Sequence, residues 1–322
     1  MSRPRRVACL TMLRDEEFFF PIWYRYYASL FGRENLFVID HLSKTRPAAP
    51  DGSGALNMLT LPFERALDPQ GRPQKLDGPR FRLISGMVEG LLAYYDTVIF
   101  NDTDELFIVD PQKHRDLRSF LEGGAGKAPA LAGMGLDIIH DPRSEPALDP
   151  ARPVLAQRRN YVCAPVWAKP HIINTACKIA PHGLSIPFRF DPDLYLIHLK
   201  HSDITHTLQR QAVRHEMYRQ DAVADFCTWQ ATAAEKDTEL AALLERPLDE
   251  GDLPHRRPVA RLLANGPNHL LGSETGPARK RPSKVMPWAY KVHEFLPAPL
   301  MQSLRQSRHL FPARFAGATG EG

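Results

Sequence analysis

The chain has 322 residues, room for one large domain or two ordinary ones, with 43% hydrophobic residues, 24% charged residues and a formal charge of +4. No apolar run approaches the roughly 18 residues that suggest a membrane span. Cys9, Cys163, Cys177 and Cys227 form no Cys-x-x-Cys pair, so neither a zinc knuckle nor a disulfide framework is indicated.

The stretch MSRPRRVACLTML has the basic and apolar parts of a signal peptide, but Arg14, Asp15, Glu16 and Glu17 follow at once without a small-residue cleavage pattern. A cytosolic location is the expectation. Val7 to Leu13 has the length of a buried strand. An aromatic helix follows from about Phe20, where Pro21 is tolerated in the first turn, and Gly32 ends it. Leu36–Asp40 and Leu56–Leu61 read as further strands, Pro79–Tyr95 as a helix, and Thr97–Phe100 as a fourth strand. Strand and helix in alternation predict an α/β fold with a mostly parallel sheet flanked by helices. Beyond Asp110 the spacing predicts a short helix over 112–121 and strands over 130–139, 169–180 and 195–199. It also predicts a proline-rich loop over 141–165 and a helical region from Ile204 to Leu244, broken near 228–232.

Thr97 to Pro111, TVIFNDTDELFIVDP, is the most informative stretch. An apolar strand delivers Asp102 and Asp104 to its carboxyl end, where open parallel sheets bind ligands. Carboxylates at i and i+2 of an extended chain point the same way and can converge on a hard divalent cation such as Mn²⁺ or Mg²⁺. Glu105 adds a third acid, and three acids so close repel unless a cation neutralises them. A surface turn after a strand is the plainer alternative.

These residues, in this order, resemble a GT-A fold glycosyltransferase of the bacterial family-2-like kind, with affinity to glycosyltransferase family 92. The resemblance lies in Leu13-Arg14-Asp15-Glu16, Trp23, Tyr27, Gly32, Val38-Ile39-Asp40-His41-Leu42-Ser43 and Asp102-Thr103-Asp104-Glu105. It spans about residues 7–110 and fades past 130, where Lys169-Pro170-His171 resembles a family pattern only loosely. Asn101 stands where an apolar residue is usual, Leu106 where Phe is usual, and Tyr27 where His is frequent. Ser43 is followed by Lys44-Thr45 and not by a second acid.

The resemblance implies a GT-A-like domain over residues 1–202 and a helical, proline-rich region with a basic tail over 203–322. It implies a metal-dependent, hexosyltransferase-like enzyme of polysaccharide biosynthesis. Such an enzyme moves a sugar from a nucleotide-diphosphate donor, a UDP-sugar first, to a glycan or cell-surface polysaccharide, with inversion. Asp15 and Asp40 would hold base and ribose, although Asp40 also reads as a turn acid. Arg80 or Arg82 would touch the nucleotide; the sequence does not choose between them. Lys200 would steady the diphosphate. His198 or His201, in LYLIHLKHSD, or His182 would join Asp102 and Asp104 on the metal. Asp137 is the first choice for the base that deprotonates the acceptor, with Asp141 as the alternative.

Between Pro277 and Ala316 eight basic residues face only Glu294, a local surplus of seven positive charges mixed with Trp288, Tyr290, Phe295, Leu310 and Phe311. That mixture suits peripheral contact with the inner face of an anionic membrane or with an acidic glycan; aromatic packing on the catalytic domain is the alternative. No interleaved aromatic platform or motif supports nucleic-acid binding. Two rival functions are a catalytically inactive sugar-nucleotide or polysaccharide-binding protein and a haloacid-dehalogenase-like phosphatase. The phosphatase would need its Asp-x-Asp near the N-terminus, with Thr or Val where Glu105 stands.

Overall fold

The computed structural model describes residues 3–54, 56–62, 77–220, 229–253, 256–264, 269–282, 284 and 286–320. The expected α/β class, with a mostly parallel central sheet flanked by helices, is what these residues form.

Strand β1 (Val7–Leu13) is followed by helix α1 (Phe20–Phe31), then β2 (Leu36–Asp40) and β3 (Asn57–Thr60). Helix α2 (Asp77–Leu92) leads into β4 (Thr97–Phe100). These four strands pair in parallel in the order β3-β2-β1-β4, so the carboxyl ends of β1, β2 and β4 share one edge. Trp23, Tyr27 and Phe31 lie at i, i+4 and i+8 of α1 and are buried in the common core. Gly32 ends the helix with φ of 86°, a conformation that favours glycine.

After the turn at residues 101–104 come β5 (Glu105–Val109), α3 (Leu117–Glu122) and β6 (Ala130–Ile139). The helix expected over 112–121 starts only at Leu117, because Asp116 and Ser119 form a capping box there. The expected loop over 141–165 contains a short helix, α4 (Val154–Gln157), and a buried strand, β7 (Asn160–Cys163), antiparallel to β6. In place of one strand over 169–180 there are two short ones, β8 (Ile172–Ile173) and β9 (Ile179–Ala180), the second forming a ribbon with β10 (Gly183–Leu184). Strand β11 (Phe188–His201) is longer than predicted and runs between β5, antiparallel, and β6, parallel.

Helices α5 (Ile204–Gln220) and α6 (Ala233–Leu244) follow. The chain then alternates β12 (Leu248–Asp249), α7 (Arg256–Leu263), β13 (Leu270–Leu271), α8 (Ala298–Ser303) and β14 (Arg308–Leu310). β13 pairs with β11 and β14 with β7, so residues beyond 202 complete the same sheet as residues before it.

The aromatics of the basic segment are mostly core residues. Phe295, Phe311 and Phe315 are buried, and only Trp288, at 42%, is strongly exposed. Arg314 pairs with Asp110 and Asp252, and Arg279 pairs with Glu294 while lying over Tyr290. Packing on the body therefore accounts for most of the apolar content that suggested a docking surface. Among the described residues no helix is long and apolar enough to cross a membrane.

Candidate functional site

The edge formed by the ends of β1 and β4 opens into a cavity of about 580 Å³. Arg14, Glu16, Arg80, Asp102, Asp104, Glu105, Lys169, His198, Lys200, Arg210 and Arg214 bring charge to it, and Trp167 and Trp229 are its large aromatic walls.

Three buried side chains, Trp23, Asn101 and Tyr27, hold the acidic turn from behind. Trp23 Nε1 donates to Asn101 Oδ1 at 3.0 Å, and Asn101 Nδ2 donates to Tyr27 Oη at 3.0 Å and to the Glu105 carbonyl. Tyr27 Oη also accepts from the Phe107 amide. Asn101 and Tyr27 are thus partners of each other. A buried polar group is costly without a partner, so an Asn at the strand end calls for a hydroxyl opposite it.

Asp102 accepts from Arg80 and, at 2.9 Å, from Lys169 Nζ. Lys169 also sits 2.6 Å from Glu105 Oε1, and both of these side chains are nearly inaccessible. Burial pushes Asp102 toward the neutral form, but Lys169 and Arg80 outweigh it and hold its carboxyl well below the usual range. For Glu105 burial wins over Lys169 and pushes the carboxyl up to about 7. The repulsion expected among three neighbouring acids is therefore relieved at Asp102 and Glu105 by side-chain cations.

Asp104 is arranged differently. Its Oδ2 lies 3.5 Å from His198 Nε2, while His198 Nδ1 lies 2.6 Å from Asp137 Oδ1. Register explains the placement, since β11 sets His198 opposite Glu105 on one side and Asp137 on the other. Burial works against charging the ring, but Asp137 and Asp104 push His198 up to about 10. In turn, against the opposing effect of burial, His198 draws Asp104 down to about 2.

Of the remaining predicted residues, Arg80, His182 and Lys200 line the cavity, whereas Arg82 is exposed and does not. Two residues apart on α2, the arginines leave on different sides of the helix. Asp15 and Asp40 do not line the cavity either. Asp15, at φ 49°, accepts the Lys44 amide at 2.7 Å and donates its own amide to Ser43 Oγ. Asp40 accepts the Ser43 amide at 2.9 Å. Asp15 ties the first two strand-end loops together and Asp40 closes the second on itself, while Arg14 and Glu16, the neighbours of Asp15, face the cavity.

Asp137, Asp141 and His201 lie away from the cavity wall. Asp137, the residue first chosen as the base, is 8% exposed, engaged with His198 and absent from the cavity wall. The alternative base, Asp141, is paired with Arg143. His201 lies behind Asp137, 3.9 Å from its Oδ2, and does not line the cavity.

Sequence reasoning assigned no role to Lys169, Glu16, Arg210 or Arg214. Arg210 and Arg214 are spaced i, i+4 on α5, and Arg210 reaches Glu16 at 3.3 Å; that helical spacing was their one available signal. Lys169 stands in a proline-flanked turn with no periodicity. Its place is set by Gly135, where a Cβ would come within 2.5 Å of the Ala164 carbonyl and 2.6 Å of the Ala168 amide nitrogen. Only glycine on β6 lets the turn carrying Trp167 and Lys169 settle this close.

The donor set suits a divalent cation at one place. With Nδ1 held by Asp137, a divalent cation that displaced the proton on His198 Nε2 would find that nitrogen and an Asp104 oxygen side by side as donors. Among the described residues no group of three or more His, Cys, Asp or Glu forms a complete site. The pair offers part of a shell that phosphate oxygens and water can finish, as is usual for Mg²⁺.

No family model matches the chain, and no curated protein matches it. Among solved structures, mannose-1-phosphate geranyltransferase from Thermus thermophilus overlaps it with a TM-score of 0.27 and 11% identity, over 70% of this chain and 66% of that one.

Proposed function

We propose that the protein is a divalent-cation-dependent glycosyltransferase that takes a sugar from a nucleotide-diphosphate sugar, a UDP-sugar first, and passes it to a hydroxyl of a glycan with inversion. The observation that carries this reading is the Asp104–His198 pair, an oxygen and an imidazole donor 3.5 Å apart on the wall of a cavity rich in cations. Asp104 and His198 would hold Mn²⁺ or Mg²⁺, which when bound supplies charge that offsets the diphosphate as it leaves. Asp102, fixed by Arg80 and Lys169, orients the turn that presents Asp104. Lys200, Arg210 and Arg214 give the diphosphate further positive charge, with the arginines suited to phosphate oxygens by their planar donor forks. Trp167 and Trp229 offer flat faces to a sugar ring.

Calorimetry with UDP tests the reading. Binding is expected with Mn²⁺ and lost with EDTA, and Asp104→Asn is expected to abolish both metal-linked binding and sugar transfer while the fold persists. Nucleotide binding indifferent to EDTA would overturn the cation, and binding without turnover of any nucleotide sugar would favour an inactive sugar-nucleotide-binding protein.

A further inference from the structure

Asp137 is a buried carboxylate that the proposed chemistry does not use directly. It stands beside His198 in the parallel register of β6 and β11, so its position relative to that ring is set by two central strands and not by a loop. Oδ1 lies 2.6 Å from His198 Nδ1, with the two side chains 11% and 6% exposed. Oδ2 faces His201 Nδ1 at 3.9 Å. Trp167 packs against the same imidazole at a ring separation of 4.8 Å.

An imidazole has two nitrogens, and the bond made by one decides what the other can do. A carboxylate at Nδ1 keeps the proton there, fixes the rotation of the ring and raises the basicity of Nε2. Here Nε2 is the atom directed at Asp104. With a weaker partner at Nδ1, the proton could move to Nε2 and close that position to a metal. A carboxylate held on a neighbouring strand prevents the exchange without reaching the cavity.

We propose that Asp137 is a positioning residue that presents Nε2 of His198 to a divalent cation shared with Asp104. This rests on the reading that a cation binds at that pair. Asp137 touches neither substrate nor metal, and its effect is carried wholly by the imidazole.

The test is a titration of the full-length protein with Mn²⁺ in the presence of UDP, with free Mn²⁺ read by electron paramagnetic resonance. Wild type and Asp137→Asn are compared, the variant keeping the side-chain volume and removing the charge. A roughly 10–100-fold weaker Mn²⁺ affinity is expected, with any residual UDP binding in EDTA the same as in wild type. Equal Mn²⁺ affinities would overturn the positioning role while leaving the metal reading intact. A wild-type protein that holds no Mn²⁺ beside UDP would overturn the metal reading itself, and this inference with it. Should the variant not fold, ¹⁵N-histidine spectra of the wild type with Mg²⁺ and UDP decide the matter. The proton is expected on Nδ1 of His198, and a proton on Nε2 would overturn the proposal.

Discussion

Lys169 joins two of the three acids of the turn, because one buried ammonium serves both Asp102 and Glu105. Removing one member of such a cluster leaves an uncompensated buried charge, typically worth about 3–5 kcal/mol. Lys169→Met is therefore expected to destabilise the protein by about 3 kcal/mol, and adding Glu105→Gln should recover part of that loss. Urea denaturation of the two single variants and the double variant checks the coupling; strictly additive effects would mean that the pair does not interact. The sequence showed Glu105 but not its partner, because a lysine 64 residues later in an aperiodic turn has no local pattern that ties it to the acid. Asp40 was legible as a strand-end acid for the opposite reason, and its contact with the Ser43 amide is local.

Two elements carry the site, and each depends on a residue whose role is packing. The turn from Pro165 to Lys169 lies on β6 only because position 135 has no side chain. Gly135→Ala places a methyl group against backbone atoms that cannot rotate away, so a cost of about 1–3 kcal/mol is expected. The same variant should shift the fluorescence of Trp167, which the turn carries, while a normal melting curve with an unchanged spectrum would contradict the packing argument. The acidic turn depends on α1 through the Trp23–Asn101–Tyr27 hydrogen bonds. Asn101→Leu strands the indole N–H and removes a donor from the Tyr27 oxygen, at about 1–3 kcal/mol for a buried group left unsatisfied. Pairing it with Tyr27→Phe should cost less than the sum of the two single changes, as measured by the denaturation midpoints.

Across the whole molecule, several histidines are buried as neutral rings. Burial lowers His171 to about 3, with Lys169 adding to the effect, and burial likewise lowers His201 to about 3. In the unfolded chain a histidine titrates near 6.5. Below that pH the unfolded state takes up protons that the folded state refuses, so stability falls as pH drops from about 6.5 toward 3. The slope is about 1.4 kcal/mol per pH unit for each such group. His198 does not add to this loss, because its raised value makes its contribution complete below 6.5 and lost only as pH rises toward 10. His171→Phe should therefore lose about 2 kcal/mol less than wild type between pH 7 and 5. Urea midpoints at the two pH values provide the comparison, and parallel losses would mean that His171 is not held neutral.

The sequence by itself determined the parallel half of the sheet, the aromatic helix behind it and the acidic turn at the end of β4. Hydrophobic length, helical spacing and an acid pair after an apolar strand are short-range signals, so they survive without any knowledge of the rest of the chain. It also named His198 and Asp137, but as separate candidates with separate roles. Tertiary structure alone decided that they are one unit, since only the β6–β11 register brings residues 61 positions apart within 2.6 Å. It likewise sets Arg80 and not Arg82 on the cavity wall, engages Asp15 and Asp40 with Ser43, and draws most of the C-terminal aromatics into the core. These outcomes depend on which face meets which neighbour, and that is a property of the packed chain, not of any local stretch of it.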